Sequence, residues 1–415
     1  MKTSRTLLVA SSLFTVGAMA QTVNKGEMYI SPQAVFASHY TFENKDEGSF
    51  KNNGLFYAYA DIVNNGAFFD FKGKTPQGKT ILSSDKVQTV SGKSLITFNN
   101  LELNNSQATK AFDIQNAVSV AGEVDFKNGI ALIDEKTGSF TFLSGAKASN
   151  VKDNSHIEGS VEKEGNKEFI FPIGDHGMYR YAAISAPKDE NDVYESKYRT
   201  EDAQFFKTHN VKSGVIEKLN ESEYWLVDRG NNNKGDIILT LPWDERTTPN
   251  ELLKEAEKNL HIVRWDEKQQ LWVDEGGIVD IDAKTITTPT TVKGYGFFTF
   301  ATVKTDWLLD GDVVIYNYVS TTGDGKNDYF LIDNINRFPD NKVEIFNRWG
   351  KKVFETTSYD SHGNVFRGYS DGKGTINKGE QLPSGTYFYV LTYEFKDASG
   401  ARTVKKAGYL HLETN

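Results

Sequence analysis

Hydrophobic and polar residues alternate in short bursts along most of this chain. The two-residue period is that of a strand with one buried face. Between about 45 and 150 the bursts carry a loose repeat. Lys51-Asn52-Asn53-Gly54 precedes Leu55-Phe56-Tyr57-Ala58-Tyr59, and Val63-Asn64-Asn65-Gly66 precedes Ala67-Phe68-Phe69-Asp70-Phe71. Phe98-Asn99-Asn100-Leu101-Glu102-Leu103 and Phe126-Lys127-Asn128-Gly129-Ile130-Ala131-Leu132 follow the same plan. Each is a short strand beside an Asn-rich corner, because Asn and Gly tolerate the left-handed backbone of tight turns. Such strands stack into a β-solenoid or close into a β-sandwich, with the solenoid placed first for residues 21–155. The repeat spacing is irregular, roughly 12 to 30 residues, which also fits plain hairpins. In a solenoid the Asn runs would stack as hydrogen-bonded ladders.

Residues 156–303 predict a second, sandwich-like β domain. Its strand signals include Phe169-Ile170-Phe171, Tyr179 to Ser185, Glu223 to Val227, Asp236 to Leu241, Leu260 to Trp265, Leu271-Trp272-Val273 and Tyr295 to Ala301. One helix is expected, over Asn250 to Asn259, with Pro249 at its start, where a missing N–H costs nothing. Residues 304–312 form an expected linker, although Trp307-Leu308-Leu309 is apolar for one. From Val313 to Asn415 the alternation tightens. Val343-Glu344-Ile345-Phe346, a turn at Asn347-Arg348-Trp349-Gly350, and Lys352-Val353-Phe354-Glu355 read as a hairpin. With Thr386 to Tyr393 and Ala407 to Leu412 they predict an Ig-like seven-stranded β-sandwich.

Composition changes this all-β picture little, but it removes several chemistries. The 415 residues contain no cysteine, which excludes disulfides, thiolate metal sites, a cysteine nucleophile and a lipid-bearing cysteine. Residues 1–20 read as a secretory signal peptide: Lys2 and Arg5, an apolar run from Leu7 to Met19, and Ala18-Met19-Ala20 before Gln21. No later stretch approaches the ~20 apolar residues of a membrane helix. The net charge is −9, from 47 basic and 56 acidic residues. From Asp312 onward 13 basic and 13 acidic residues balance, so the excess lies in the body. An acidic body argues against a nucleic-acid partner.

At the C-terminus four motifs occur in a recognisable order: Ser320-Thr321-Thr322-Gly323-Asp324-Gly325-Lys326-Asn327-Asp328, then Val343 to Glu355, then Leu382-Pro383-Ser384-Gly385-Thr386-Tyr387-Phe388-Tyr389, then Lys406-Ala407-Gly408-Tyr409-Leu410. Together they resemble the gliding-motility-associated C-terminal domain of Bacteroidetes surface proteins, the type B cargo domain of the type IX secretion system, over about residues 313–415. Thr321-Thr322 departs from the family's Pro-Asn, and Val365-Phe366-Arg367-Gly368 stands where Trp-Asp-Gly is usual. The resemblance implies Sec export, passage through the type IX translocon, and recognition by an outer-membrane β-barrel partner. Gly165 to Gly174 is similar to an element seen upstream of such domains. Gly323, Asp324, Asn327, Asp328, Asn347, Arg348, Trp349, Gly350, Pro383 and Gly385 are the candidate partner contacts.

Catalytic signatures are missing. The seven histidines show no His-x-x-x-His pair, and neither a Gly-x-Ser-x-Gly elbow nor a P-loop occurs. Asp175-His176 after a strand reads as a polar turn. Asp324 and Asp328 in a Gly-containing loop form a weak calcium candidate against an Asx-type turn; no other cofactor or metal is expected. Trp265 and Trp272 read as core, while an exposed aromatic row on the body would mark a surface-glycan binder or adhesin. The expectation is a non-enzymatic protein exported by the type IX system, found at the cell surface, associated with the outer membrane or extracellular. The alternatives are a carbohydrate-binding or adhesin module, an accessory subunit of an outer-membrane complex, and a hydrolase whose paired carboxylates leave no sequence signature.

Overall fold

A computed structural model describes residues 21–68, 77–107, 109–213, 216–303, 313–323, 327–372, 378–397 and 400–414. The expected signal peptide and the expected linker lie outside them.

The N-terminal body is a three-faced parallel β-solenoid. The first face stacks Thr22–Asn24, Phe42–Asn44, Ile62–Asn64, Gln88–Gly92, Phe112–Ile114 and Ala131–Ile133, all parallel. The second begins Glu27–Ile30 and Ser49–Asn52, and the third Val35–Ser38 and Leu55–Ala58. One rung therefore contains three short strands. Asn24, Asn44 and Asn64 recur at a separation of 20. The short spacing between the Leu55 and Ala67 motifs is a step from one face to another, since these strands belong to the third and second faces.

Two features hold the rungs together. Inward residues stack by type: Phe42, Phe50 and Phe56, one from each face of the second rung, lie 4.8–5.3 Å apart between ring centroids. Each is fully buried, contributing about 2 kcal/mol in area removed from water. At the corner after the first face an Asn ladder forms, and of its members only Asn64 belongs to the Asn runs noted in the sequence. Asn24 Nδ2 donates to Asn44 Oδ1 at 2.8 Å, and Asn44 Nδ2 to Asn64 Oδ1 at 2.9 Å. Gly48 fits beneath it because a Cβ there would fall 2.1 Å from Asn44 Oδ1. The ladder stops at Gly92, paired with Asn64 at φ +124°, which brings no side chain to continue it.

The expected boundary at 155/156 falls within the solenoid. Ile157–Glu158 and Val161–Glu164 extend the first and second faces in parallel. The second face then turns antiparallel through Val193–Thr200, Glu223–Arg229, Gly296–Val303, Leu260–Asp266 and Leu271–Gly276, a continuous 13-stranded sheet. A five-stranded antiparallel sheet, Phe169–Phe171, Ala182–Ile184, Leu239–Pro242, Thr285–Thr287 and Ile278–Asp280, joins the same core. That core runs unbroken from Ile30 to Phe300. The helix expected at 250–259 is two single turns, Asn250–Leu253 and Ala256–Asn259, with Leu252 and Ala256 buried. A further helix, Ala203–Thr208, starts where Asp202 accepts from Phe205 N.

The C-terminal unit has its own core. Tyr318–Ser320, Gly400–Glu413, Gly385–Asp397, Asn341–Phe346 and Lys352–Thr357 form a five-stranded sheet, in that order. Its Val343, Ile345, Tyr389, Leu391 and Leu410 pack with Phe330, Ile335, Tyr359 and Phe366. Among the described residues the layer over this sheet has the two-residue strands Val314–Ile315 and Ile332–Asp333, the 3₁₀ turn Ile335–Arg337, and turns, and a second large sheet of the expected Ig-like sandwich is not seen.

Candidate recognition surface

Strand register gathers the predicted contacts. Ser320 pairs with Glu413, Leu412 with Gly385, and Phe388 with Phe346. The loop after Ser320, the turn after Phe346 and the turn before Gly385 therefore all leave the same end of the five-stranded sheet. Residues some sixty positions apart in sequence form one surface.

Each turn is fixed by its own polar groups. In the first, Ser320 N donates to Asn327 O at 2.8 Å and Gly323 N to Asp328 Oδ1 at 3.0 Å. Gly323 and Asn327 take the left-handed conformation, at φ +71° and +53°. Asp328 thus caps the loop from its far end, a bond across five positions that differs from the Asx-type turn expected; Asp324 and Gly325 lie outside the described residues. Among the described residues no group of three or more His, Asp or Glu side chains is placed to hold a metal. In the second turn Asn347 Oδ1 accepts from Trp349 N at 3.1 Å and Lys351 N at 2.9 Å. Gly350 closes it at φ +70°. In the third, Thr414 N donates to Ser384 Oγ at 2.8 Å and Tyr387 Oη to Pro383 O at 2.9 Å. Gly385, at φ +152°, faces open space.

Two ties between the turns involve residues outside the sequence-based set. Gln381 Nε2 donates to Thr321 Oγ1 at 3.2 Å, joining the first loop to the third turn. Gly368 O accepts from Leu382 N at 2.9 Å, and a Cβ on Gly368 would press on Thr321 and Leu412. Gly368 belongs to the stretch that departs from the family's Trp-Asp-Gly.

The surface is partly apolar and partly engaged. Trp349 is 54% exposed, with the Arg348 guanidinium 4.2 Å from its ring centroid. Behind it Gly350 meets the body, where an added Cβ would lie 2.2 Å from Ile238 Cδ1. Arg348, Trp349 and Gly350 share a cleft of about 490 Å³ with Ile170, Ile238 and Thr287 of the body. Lys405 Nζ reaches Thr290 Oγ1 at 3.3 Å, and burial together with the Lys293 ammonium lowers its pKa. On the edge hairpin, burial opposes the charge of Lys352, but the Glu355 and Glu344 carboxylates outweigh it and raise its pKa. The sequence gives little sign of the docking, since Ile238 reads as one more alternating strand residue.

The other sequence candidates have structural partners. Buried Asp175 accepts from Arg199 Nη1 at 3.2 Å and Thr200 N at 3.1 Å, while exposed His176 faces Glu201 at 3.4 Å. Trp225, Trp243, Trp265 and Trp272 are all buried, so tryptophan supplies no exposed row on the described body. No described helix is long and apolar enough to cross a membrane.

No curated protein and no solved structure matches the chain significantly. Residues 313–412 match the family model described as the CHU_C type IX secretion signal domain. The C-terminal unit, with three capped turns gathered at one end of its sheet, is a domain of this family and marks the chain for export by the type IX system to the cell surface or extracellular space.

Proposed function

We propose that the protein is a non-enzymatic cargo of the type IX system. In this reading the solenoid body is the passenger, and the C-terminal domain is bound by the translocon and an outer-membrane β-barrel partner. The observation that supports it most directly is the convergence of the three turns at one end of the sheet. Their loops are capped by their own side chains, so they are held in shape before a partner arrives and little ordering entropy is lost on binding. Trp349 and Arg348 are the residue types that anchor interfaces. No metal is part of this reading.

A photo-crosslinker placed at Arg348, Ser384 or Thr322 should capture an outer-membrane β-barrel protein from membranes of a type IX-competent cell. Capture from the opposite end of the sheet, at Asp340, and not from the three turns would count against the assigned surface. Retention in a stable membrane complex after export, measured in the same pull-down, would favour an accessory subunit over released cargo.

A further inference from the structure

The corner between the second and third solenoid faces carries a groove that the export reading leaves unused. It encloses about 460 Å³ and runs across the strands, lined by Gln33, Asn53, Leu55, Lys79, Asn100 and Glu123, with Asp125 at one wall. Register places Val35, Leu55, Lys79 and Asn100 side by side on successive rungs. Glu123 N donates to Asn100 Oδ1 at 2.9 Å, which brings in the next rung. At a strand spacing of about 4.8 Å, five rungs give a track of about 19 Å.

We propose that this groove binds a neutral oligosaccharide. Its polar groups are amides, carboxylates and one ammonium, a mixture of donors and acceptors that matches hydroxyls, which do both. The ammonium is already compensated: Lys79 pairs with Glu102 and lies 3.7 Å from Asp125. Glu123 pairs in turn with Lys147 at 3.3 Å, and Asp125 lies 3.9 Å from Lys127, so the charges in and around the lining cancel and none is left to select a charged ligand. A flat apolar wall continues the track at the first two rungs, where Val35 is 62% and Leu55 36% exposed. Tyr29, 56% exposed, accepts from Asn53 Nδ2 at 3.1 Å and adds a phenol beside the amides. A peptide fits less well. The groove crosses the strands, so a peptide lying along it runs at right angles to their backbones and cannot add as a strand; the free edge of the third face, at Val35–Ser38, meets the track only at its end. The exposed aromatic groups of this face are tyrosines, and the buried tryptophans take no part.

The test is calorimetric titration of the full chain with cellotetraose, xylotetraose, maltotetraose, mannotetraose and chitotetraose, with heparin and a tetrapeptide library as charged and peptide probes. At least one neutral tetrasaccharide should bind, and the double variant Gln33→Ala/Asn53→Ala should weaken it at least tenfold with an unchanged melting temperature. A second variant, Leu55→Ser, should weaken it through the apolar wall. Absence of binding by every neutral tetrasaccharide at millimolar concentration overturns the proposal. So does unchanged affinity in both folded variants, or binding of only heparin or peptide.

Discussion

Replacing Asn44 with Ala should loosen the first three rungs more than any other single amide change in the solenoid. Asn44 is fully buried. Its Oδ1 accepts from Asn24, and its Nδ2 serves Asn64 Oδ1 at 2.9 Å, Ala67 O at 3.1 Å and Gly48 O at 3.3 Å. Alanine removes both ladder bonds, each worth about 1 kcal/mol net. It also leaves Asn64 Oδ1 inside without its ladder donor, which costs about 1–3 kcal/mol more. The sum is about 3–5 kcal/mol. Asn24→Ala, on the first rung, should cost about 1 kcal/mol less, because it removes one ladder bond instead of two, although it too leaves a buried oxygen, Asn44 Oδ1, without its ladder donor. Asn44→Asp should be at least as damaging as Ala, since a carboxylate cannot donate to Asn64 or to the two carbonyls. Solenoid stability is a sum of neighbour terms, so the loss is local and native-state hydrogen exchange is the suitable assay. Protection should fall in Phe42–Asn44, Ser49–Asn52 and Leu55–Ala58, and remain near wild type in Val193–Thr200. A loss below about 1 kcal/mol, or equal losses for Asn24→Ala and Asn44→Ala, would refute the reasoning.

Other outcomes follow from single sites. Gly350→Ala should cost about 1–2 kcal/mol by strain at φ +70° and contact with Ile238, and Ile238→Ala should recover only the contact part in a double-mutant cycle on urea midpoints. Lys163 is buried over the Phe169 ring, and burial lowers its pKa to about 8. Between that value and the unfolded 10.5 the unfolded chain holds a proton that the folded chain has released, so this group makes stability rise with pH across the window. The difference between the wild-type and Lys163→Met stability profiles should contain that rise, and a flat difference from pH 8 to 10.5 would remove the assigned cause. Calcium titration of the full chain should give no heat, and a chelator should leave the melting temperature unchanged; saturable heat abolished by Asp328→Ala would restore the metal reading of that loop.

Local pattern made much of this protein legible, and long-range register hid the rest. The Asn-Gly corners and alternating Phe positions announced short strands, and the ladder of Asn24, Asn44 and Asn64 is the form that a solenoid imposes on them. Rung length was obscured because Leu55 and Ala67 look alike locally while belonging to different faces. The 155/156 boundary was misplaced for a related reason: the second face changes from parallel to antiparallel after Val161–Glu164 without breaking the sheet. In the C-terminal unit the hairpin 341–357 and the long strands were readable from alternation. That three distant turns share one end depends on pairings such as Phe346 with Phe388, which alternation does not encode. Docking of Gly350 on Ile238 is likewise invisible, since it joins residues more than a hundred positions apart through a single methyl group.

Surface display in a type IX-competent host tests the central claim most directly. The full chain and a chain ending before Val313 can be compared by protease accessibility of intact cells and by fractionation. The account predicts that the full chain reaches the surface or the medium, and that the truncated chain remains folded in the periplasm. Equal display of both chains would contradict it.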